Sequence, residues 1–589
     1  MRVLLLLAAV IWGGCTCVGT AVDTDGGDGG GSGGGATGGG SGGGATGGGS
    51  GGGATGGGSG GGATGGGSGG GATGGGTGGS VGGGTGGSVG GGTGGGVGGG
   101  VGGGAGGGTS GLDAGASVYQ HHNHDSRDGL YVVPGFTRAA VAGLHRDPGF
   151  SATINGPTYA QPLFIDQGVQ GRDALIVATE RNEVYALDAA TGAVLWHNTT
   201  LPPSVALSSL PCGNVNPLGI TGTPYVDLAS GTIYLAAMTT PDNGTTKKHQ
   251  VFALALADGS VKPGWPVDVE TALAGHMPAF TSATQNQRGA LLLLDGVLYV
   301  PYGGHYGDCG TYYGWVVGID VATRMAQAWN TRARGGGIWA VNGVSSDGVS
   351  VFATTGNTFG ATMWRDGEAV VRLGKGPVFS QATADYFTPT NWMALDAADL
   401  DLGGAAAMLV DAPGATPSRL VLALGKDRKA YLLDRSNLGG VGGQLLTQTV
   451  ATNEILAAPT TFTSDAGTFV AYRVEGGTGA SCPNGQSGNV AALRIEAAAP
   501  PTLTPVWCAN HTGLGSPITT VTDATGAEAI VWAIGSTRLY AWNAETGAVI
   551  FNGGVAGDLM TTVQYFETPI VAKGRVYVAA LNQVYAFIP

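Results

Sequence analysis

The chain has 589 residues, 119 of them glycine, with only 11% charged side chains and a formal net charge of −13. No basic run interrupts that acidic balance, which argues against nucleic acid and anionic membrane surfaces as partners. The acidic, charge-poor composition suits an exported protein.

The first twenty-one residues read as an export signal. Arg2 precedes an apolar run of ten, Val3 to Trp12, about half the length that a bilayer span requires. Trp12-Gly13-Gly14-Cys15 is similar to the lipobox of bacterial lipoproteins, although Trp12 stands where leucine is usual. Two readings compete: lipidation of Cys15, or ordinary cleavage after Ala21. Either places the protein in the periplasm or at the cell surface, with the membrane reached only through a lipid. Residues 22–116 are a tether, with GGGSGGGAT units giving way to GGGTGGSV units. Such a segment buries no apolar surface to offset its ordering entropy and is expected to be disordered. Collagen is excluded, because the period is not three and the block lacks proline.

From Ser117 onward the composition becomes that of a folded domain, taken as 117–589. His121, His122 and His124 form its tightest histidine cluster. Three imidazoles so close are a candidate transition-metal site, but no carboxylate stands at suitable spacing. From Tyr159 a unit then recurs eight times, and its second strand is the easiest to see. The eight copies are LIVATE (175–180), TIYLAAM (232–238), VLYVPYG (297–303), VSVFATTG (349–356), RLVLALG (419–425), TFVAYRVEG (468–476), AIVWAIG (529–535) and RVYVAAL (575–581). Period-two alternation over four to seven residues predicts strands. An array of eight such units predicts an all-β fold, an eight-bladed β-propeller closed by its termini. The last unit ends without a fourth strand. The segment around Leu130–Val133, or the residues just after it, is the candidate to complete it.

ALDAATGAVLW (186–196), AWNAETGAVIF (541–551) and GIDVATRMAQAW (318–329) mark the third-to-fourth strand turns. Gly192 and Gly547 sit where such a turn needs positive φ. Trp196, Trp329 and Phe551 are expected to fill the space between blades.

The first of these stretches resembles the tryptophan-docking motif of pyrroloquinoline-quinone (PQQ) dehydrogenases at Ala186, Asp188, Thr191, Gly192 and Trp196. The resemblance covers about 159–589 and is to the PQQ-type propeller superfamily, which includes alcohol dehydrogenases and catalytically silent scaffolds. GGGIWAVNGVSSDGVSVFATTGN resembles the dehydrogenase segment in which a tryptophan forms the quinone's floor and an asparagine binds calcium. That likeness implies Trp339 as floor and Asn357 as cofactor and metal ligand; an amide oxygen is one of the hard donors that calcium takes. The run 387–404 resembles the stretch that supplies the catalytic aspartate. Here Asn391 stands where a carboxylate is expected, and Asp396, Asp399 and Asp401 follow in a shifted register. The resemblance thus implies Asp396 or Asp399 as proton acceptor, and Lys426 or Arg428 as the basic residue near the quinone. Two features of such enzymes are missing. There is no adjacent cysteine pair, and no Cys-x-x-Cys-His to carry covalent haem.

Four cysteines lie beyond the export signal, and four allow three pairings. Cys212–Cys309 with Cys482–Cys508 is the local one, and export favours disulfides. The connections that carry these cysteines open on the same face as the long insertions. His305, Tyr306, Tyr312, Tyr313 and Trp364 are expected to rim a pocket there. Two functions follow: a non-catalytic scaffold binding a protein or small ligand on that face, or a PQQ- and calcium-dependent alcohol dehydrogenase. The missing base and cysteine ring favour the scaffold.

Overall fold

A computed structural model describes residues 117–513 and 515–589; the export signal with Cys15 and Cys17, the Gly-rich tether and Leu514 lie outside the described residues. The described strands form eight sheets of four or five strands, the blades of a β-propeller. Each of the eight second strands expected from the sequence is present, from Arg172–Ala178 in blade one to Arg575–Ala579 in blade eight. Their burial departs from simple alternation. Thr232–Thr239 is buried at all eight positions, because each blade is packed on both faces by its neighbours and neither face meets water.

The repeated turn works through its aspartate. Asp188 Oδ1 accepts from the backbone of Ala190 and Thr191 and from the Thr191 hydroxyl, each at 3.0 Å, while Gly192 adopts φ +78°. The turn delivers Trp196 across the blade boundary, where Nε1 donates to Leu256 O at 2.9 Å. The ring lies on Gly259, where a Cβ would sit 2.5 Å from Trp196 Cε3. Trp329 meets Phe379 and Phe551 meets Phe587, each pair spanning adjacent blades. Trp507 does the same work in blade six, donating to Ala544 O at 2.7 Å and covering Gly547.

Closure follows the second of the two alternatives expected from the sequence. The outer strand of blade eight comes from residues just after Val133: His145–Arg146 and Ala152–Thr153 both pair with Gln583–Ile588. Leu130–Val132 instead adds a fifth strand to blade seven, parallel to its innermost strand. It ends a segment that lies against the innermost strands of the ring. Val118 exchanges hydrogen bonds with Phe164, and the carbonyls of Tyr119, Asp125, Ser126, Asp128 and Gly129 accept from Val226, Ser346, Leu409, Thr461 and Thr519. Those partners belong to blades one, two, four, five, six and seven. Arg127, 0% exposed, pins the rest by donating to Leu291 O and Val344 O, each at 2.9 Å. His121 reaches Thr568 before blade eight. A buried guanidinium needs its donors satisfied, and Gln120 Oε1 and His121 O take the remaining bonds. The N-terminal segment therefore plugs the axis and touches every blade. No helix among the described residues is long and apolar enough to cross a membrane.

Candidate functional site

The site residues come from connections at one end of the ring. Trp339 lies between the outer strand of blade three, which ends at Asn330, and the inner strand of blade four, which begins at Ser345. Asn357 follows the second strand of blade four, and Lys426 follows that of blade five. Asp401 lies between the short helix Trp392–Ala398 and blade five.

Asp401 joins the others. Its Oδ1 accepts from the Asn357 backbone at 2.7 Å, and its Oδ2 from Trp339 Nε1 at 3.2 Å. Lys426 Nζ stands 2.8 Å from the same Oδ2 and 5.5 Å from the Trp339 ring centroid. Burial alone would lower the Lys426 pKa; Asp401 and Asp399 overcome that and raise it. Glycine permits the convergence. A Cβ at Gly356 would lie 2.4 Å from Asp401 Oδ1, and one at Gly425 2.6 Å from Asp401 O.

The other two aspartates sit at the margin. Asp396 accepts from the Thr358 backbone and hydroxyl, both at 2.7 Å, and burial raises its pKa. Asp399 caps the helix at φ 54° and pairs with Lys426 at 3.0 Å through a carboxylate 63% exposed to solvent. Asn391 precedes that helix without a side-chain cap bond. Arg428 is exposed.

Sequence reasoning passed over three further groups. Glu368 is fully buried, with Oε2 accepting from Leu402 N at 2.6 Å and Oε1 unpartnered. Burial, reinforced by Asp401, holds its pKa well above the usual range. Glu180 accepts from Gly219 N at 2.6 Å through one oxygen and leaves the other unpartnered. Burial pushes its pKa up to about 7. Beside it Thr221 Oγ1 and Asn182 Oδ1 also lack partners, as does Gln287 Oε1 across Gly222. Gln287 leads through Arg288 to Gly289, where a Cβ would lie 3.1 Å from Ala340 O, next to Trp339. Buried acceptors without partners mark a place where water or a ligand completes the bonding. The one sequence signal for these groups is the glycine that brackets them.

Of the five expected rim residues two are buried, two half-buried and one exposed. Tyr312 is buried and donates to Asp308 at 2.6 Å, while His305 bonds to Ala283 O. Tyr313 N donates to Gln285 Oε1 at 3.0 Å. Trp364 stacks on Tyr386 with centroids 4.1 Å apart, and Tyr306 remains 51% exposed. The histidine cluster divides. His121 and His122 stack at 4.4 Å, whereas His124 pairs with Asp128 at 2.8 Å. Among the described residues no three His, Cys, Asp or Glu side chains form a metal-holding group. Both expected disulfides are present, Cys212–Cys309 and Cys482–Cys508.

Comparison with known proteins bears on the fold. The family described as outer membrane protein assembly factor BamB matches residues 160–300 and 491–588. No curated protein matches the sequence. Among solved structures, the quinohemoprotein alcohol dehydrogenase from Comamonas testosteroni superposes with a TM-score of 0.53 at 15% identity, over 80% of each chain. Quinohemoprotein alcohol dehydrogenase ADHIIG from Pseudomonas putida HK5 gives 0.54 at 13% identity, again over 80% of each chain. A europium-containing methanol dehydrogenase gives 0.56 at 14%, over 80% of this chain and 98% of that one. These identities speak for the fold alone. The eight-bladed β-propeller fold is thus shared with these solved structures, and two stretches of the chain match the BamB-described family.

Proposed function

We propose that the chain is an exported quinoprotein-type oxidoreductase acting on an alcohol, with its cofactor seated on Trp339. The observation that carries this reading is the convergence of Trp339, Asn357 and Lys426 on Asp401. The donor set suits the group. Trp339 offers a flat face held by its own N–H, and Lys426 offers a cation to an anionic quinone. Asn357 offers a hard amide oxygen to calcium. PQQ with calcium, when bound, supplies a two-electron acceptor.

The chain's own residues do the rest. A carboxylate presents about four lone-pair positions, and Asp401 uses three of them on Asn357, Trp339 and Lys426. The fourth can accept the proton of a substrate hydroxyl. The Lys426 ammonium stabilises negative charge that develops beside Trp339, and does so more strongly for being largely removed from water. Asp401 thus replaces the base that Asn391 could not provide, which is why the enzyme reading now leads.

Dye-linked oxidation of a primary alcohol by protein loaded with PQQ and calcium tests the proposal. Asp401→Asn should retain the quinone and lose activity by about 10²-fold or more. Wild-type rates in that variant would remove Asp401 from the reaction. The second reading, a non-catalytic scaffold, draws on the family match to blades at both ends of the chain. On that reading the insertion-bearing face binds a protein, and micromolar PQQ does not bind at all.

A further inference from the structure

Blade six carries an arginine that forms no ion pair among the described residues. Arg473 ends the strand Gly467–Arg473 and is 3% exposed. Its Nε and Nη1 have no hydrogen-bond partner, and no carboxylate among the described residues pairs with it. Burial lowers its pKa to about 10, with Glu475 and Tyr565 the opposing charges in its field. A guanidinium removed from water is among the most costly groups to leave unpaired. Arg127 and Arg435 are also buried, yet both are satisfied, by backbone carbonyls in one case and by carbonyls with Asp411 in the other.

The neighbourhood is arranged on the site-bearing face. His511 is 5% exposed, and burial, followed by the Arg473 charge, lowers its pKa to about 4. Its Nε2 faces Ile534 O at 2.8 Å, so that nitrogen donates, and Nδ1 is left as an unpartnered acceptor. Asn489 fixes both sides by donating to Gly476 O at 2.7 Å and His511 O at 3.0 Å. The strand end leads on to Glu475, whose backbone donates to Glu454 O at 2.9 Å, and Glu454 lies in the field of Lys426 and Asp401. Arg473 thus ends the second strand of blade six as Lys426 follows the second strand of blade five.

We propose that Arg473 and His511 form a binding site for a small carboxylate, of which a hydroxy acid uses both groups. The guanidinium takes the carboxylate, and His511 Nδ1 accepts from the hydroxyl. If the quinone reading holds, this site selects acidic alcohols as substrates. The binding itself does not depend on that reading.

Isothermal titration of the full chain, without quinone, with acetate, lactate and uncharged propane-1,2-diol tests the site. Wild-type protein should bind lactate more tightly than acetate and show no saturable heat with the diol. Arg473→Met should lower lactate affinity by roughly 10-fold or more, and Arg473→Lys by less. The Met variant should also melt at the wild-type temperature or above, because an unpaired buried charge has gone. Absence of saturable lactate binding in the wild type, unchanged affinity in Arg473→Met, or a lower melting temperature in that variant would each overturn the assignment. A separate PQQ titration of the same variants reports on the quinone reading independently.

Discussion

Asp401 shows what a run of similar residues hides. Asp396, Asp399 and Asp401 lie within six positions, and spacing alone could not choose between them. The choice is made by the chain turn at Asp399, which leaves the helix in the left-handed region at φ 54° and swings the next residues inward. Trp339 and Asn357 were named from a family resemblance, and the structure brings both against Asp401. Glu180 was not legible, since a glutamate at a strand end usually faces water. Its burial has a consequence for pH. A carboxyl group whose pKa rises from 4.5 to about 7 on folding contributes stability that is complete below 4.5 and is lost as pH rises through 7. That loss amounts to roughly 3 kcal/mol. Glu180→Gln should therefore gain on the wild type between about pH 4 and about pH 8, in denaturant titrations at both values. A constant difference across that range would contradict the burial argument.

At the scale of elements, the second strands were readable as short β-type runs recurring at a regular spacing, although burial on both faces replaces the alternation by which they were read. The docking of Trp196 and Trp329 followed from the turn motif. Closure was harder, because His145–Arg146 and Ala152–Thr153 are two-residue strands with no apolar pattern of their own, and their partner lies at the far end of the chain. The axial role of residues 118–133 was invisible for a similar reason. Its bonds are made by backbone carbonyls and by Arg127, and backbone groups leave no mark in a sequence. The structure predicts different outcomes for two truncations. A chain beginning at Ser117 should melt within a few degrees of the full-length protein. One beginning at Ile154 loses both the axial segment and the closing strand, exposes a free sheet edge, and should elute as aggregate without a cooperative transition. Equal melting temperatures for the two would remove the axial segment from the account of stability.

Across the whole molecule, the ring gathers onto one face groups that are hundreds of positions apart in sequence. Trp339, Asp401 and Lys426 come from the connections of three blades, and Glu180 and Arg473 approach from two more. The disulfide Cys212–Cys309 ties the connection before blade two to the blade-three loop carrying Asp308 and Tyr312, so the same face is stapled as well as packed. Repeats made the ring predictable, but each blade contributes a different loop to the face, and repetition carries no information about those differences. The central claim is that this face holds a quinone on Trp339. Tryptophan fluorescence and equilibrium dialysis of the purified protein against PQQ with calcium measure it most directly. The account predicts one PQQ per chain at micromolar concentration or below, with Trp339→Ala abolishing binding while the melting temperature stays close to that of the wild type. A wild-type protein that retains no PQQ, or a Trp339→Ala variant that retains it unchanged, would contradict the account.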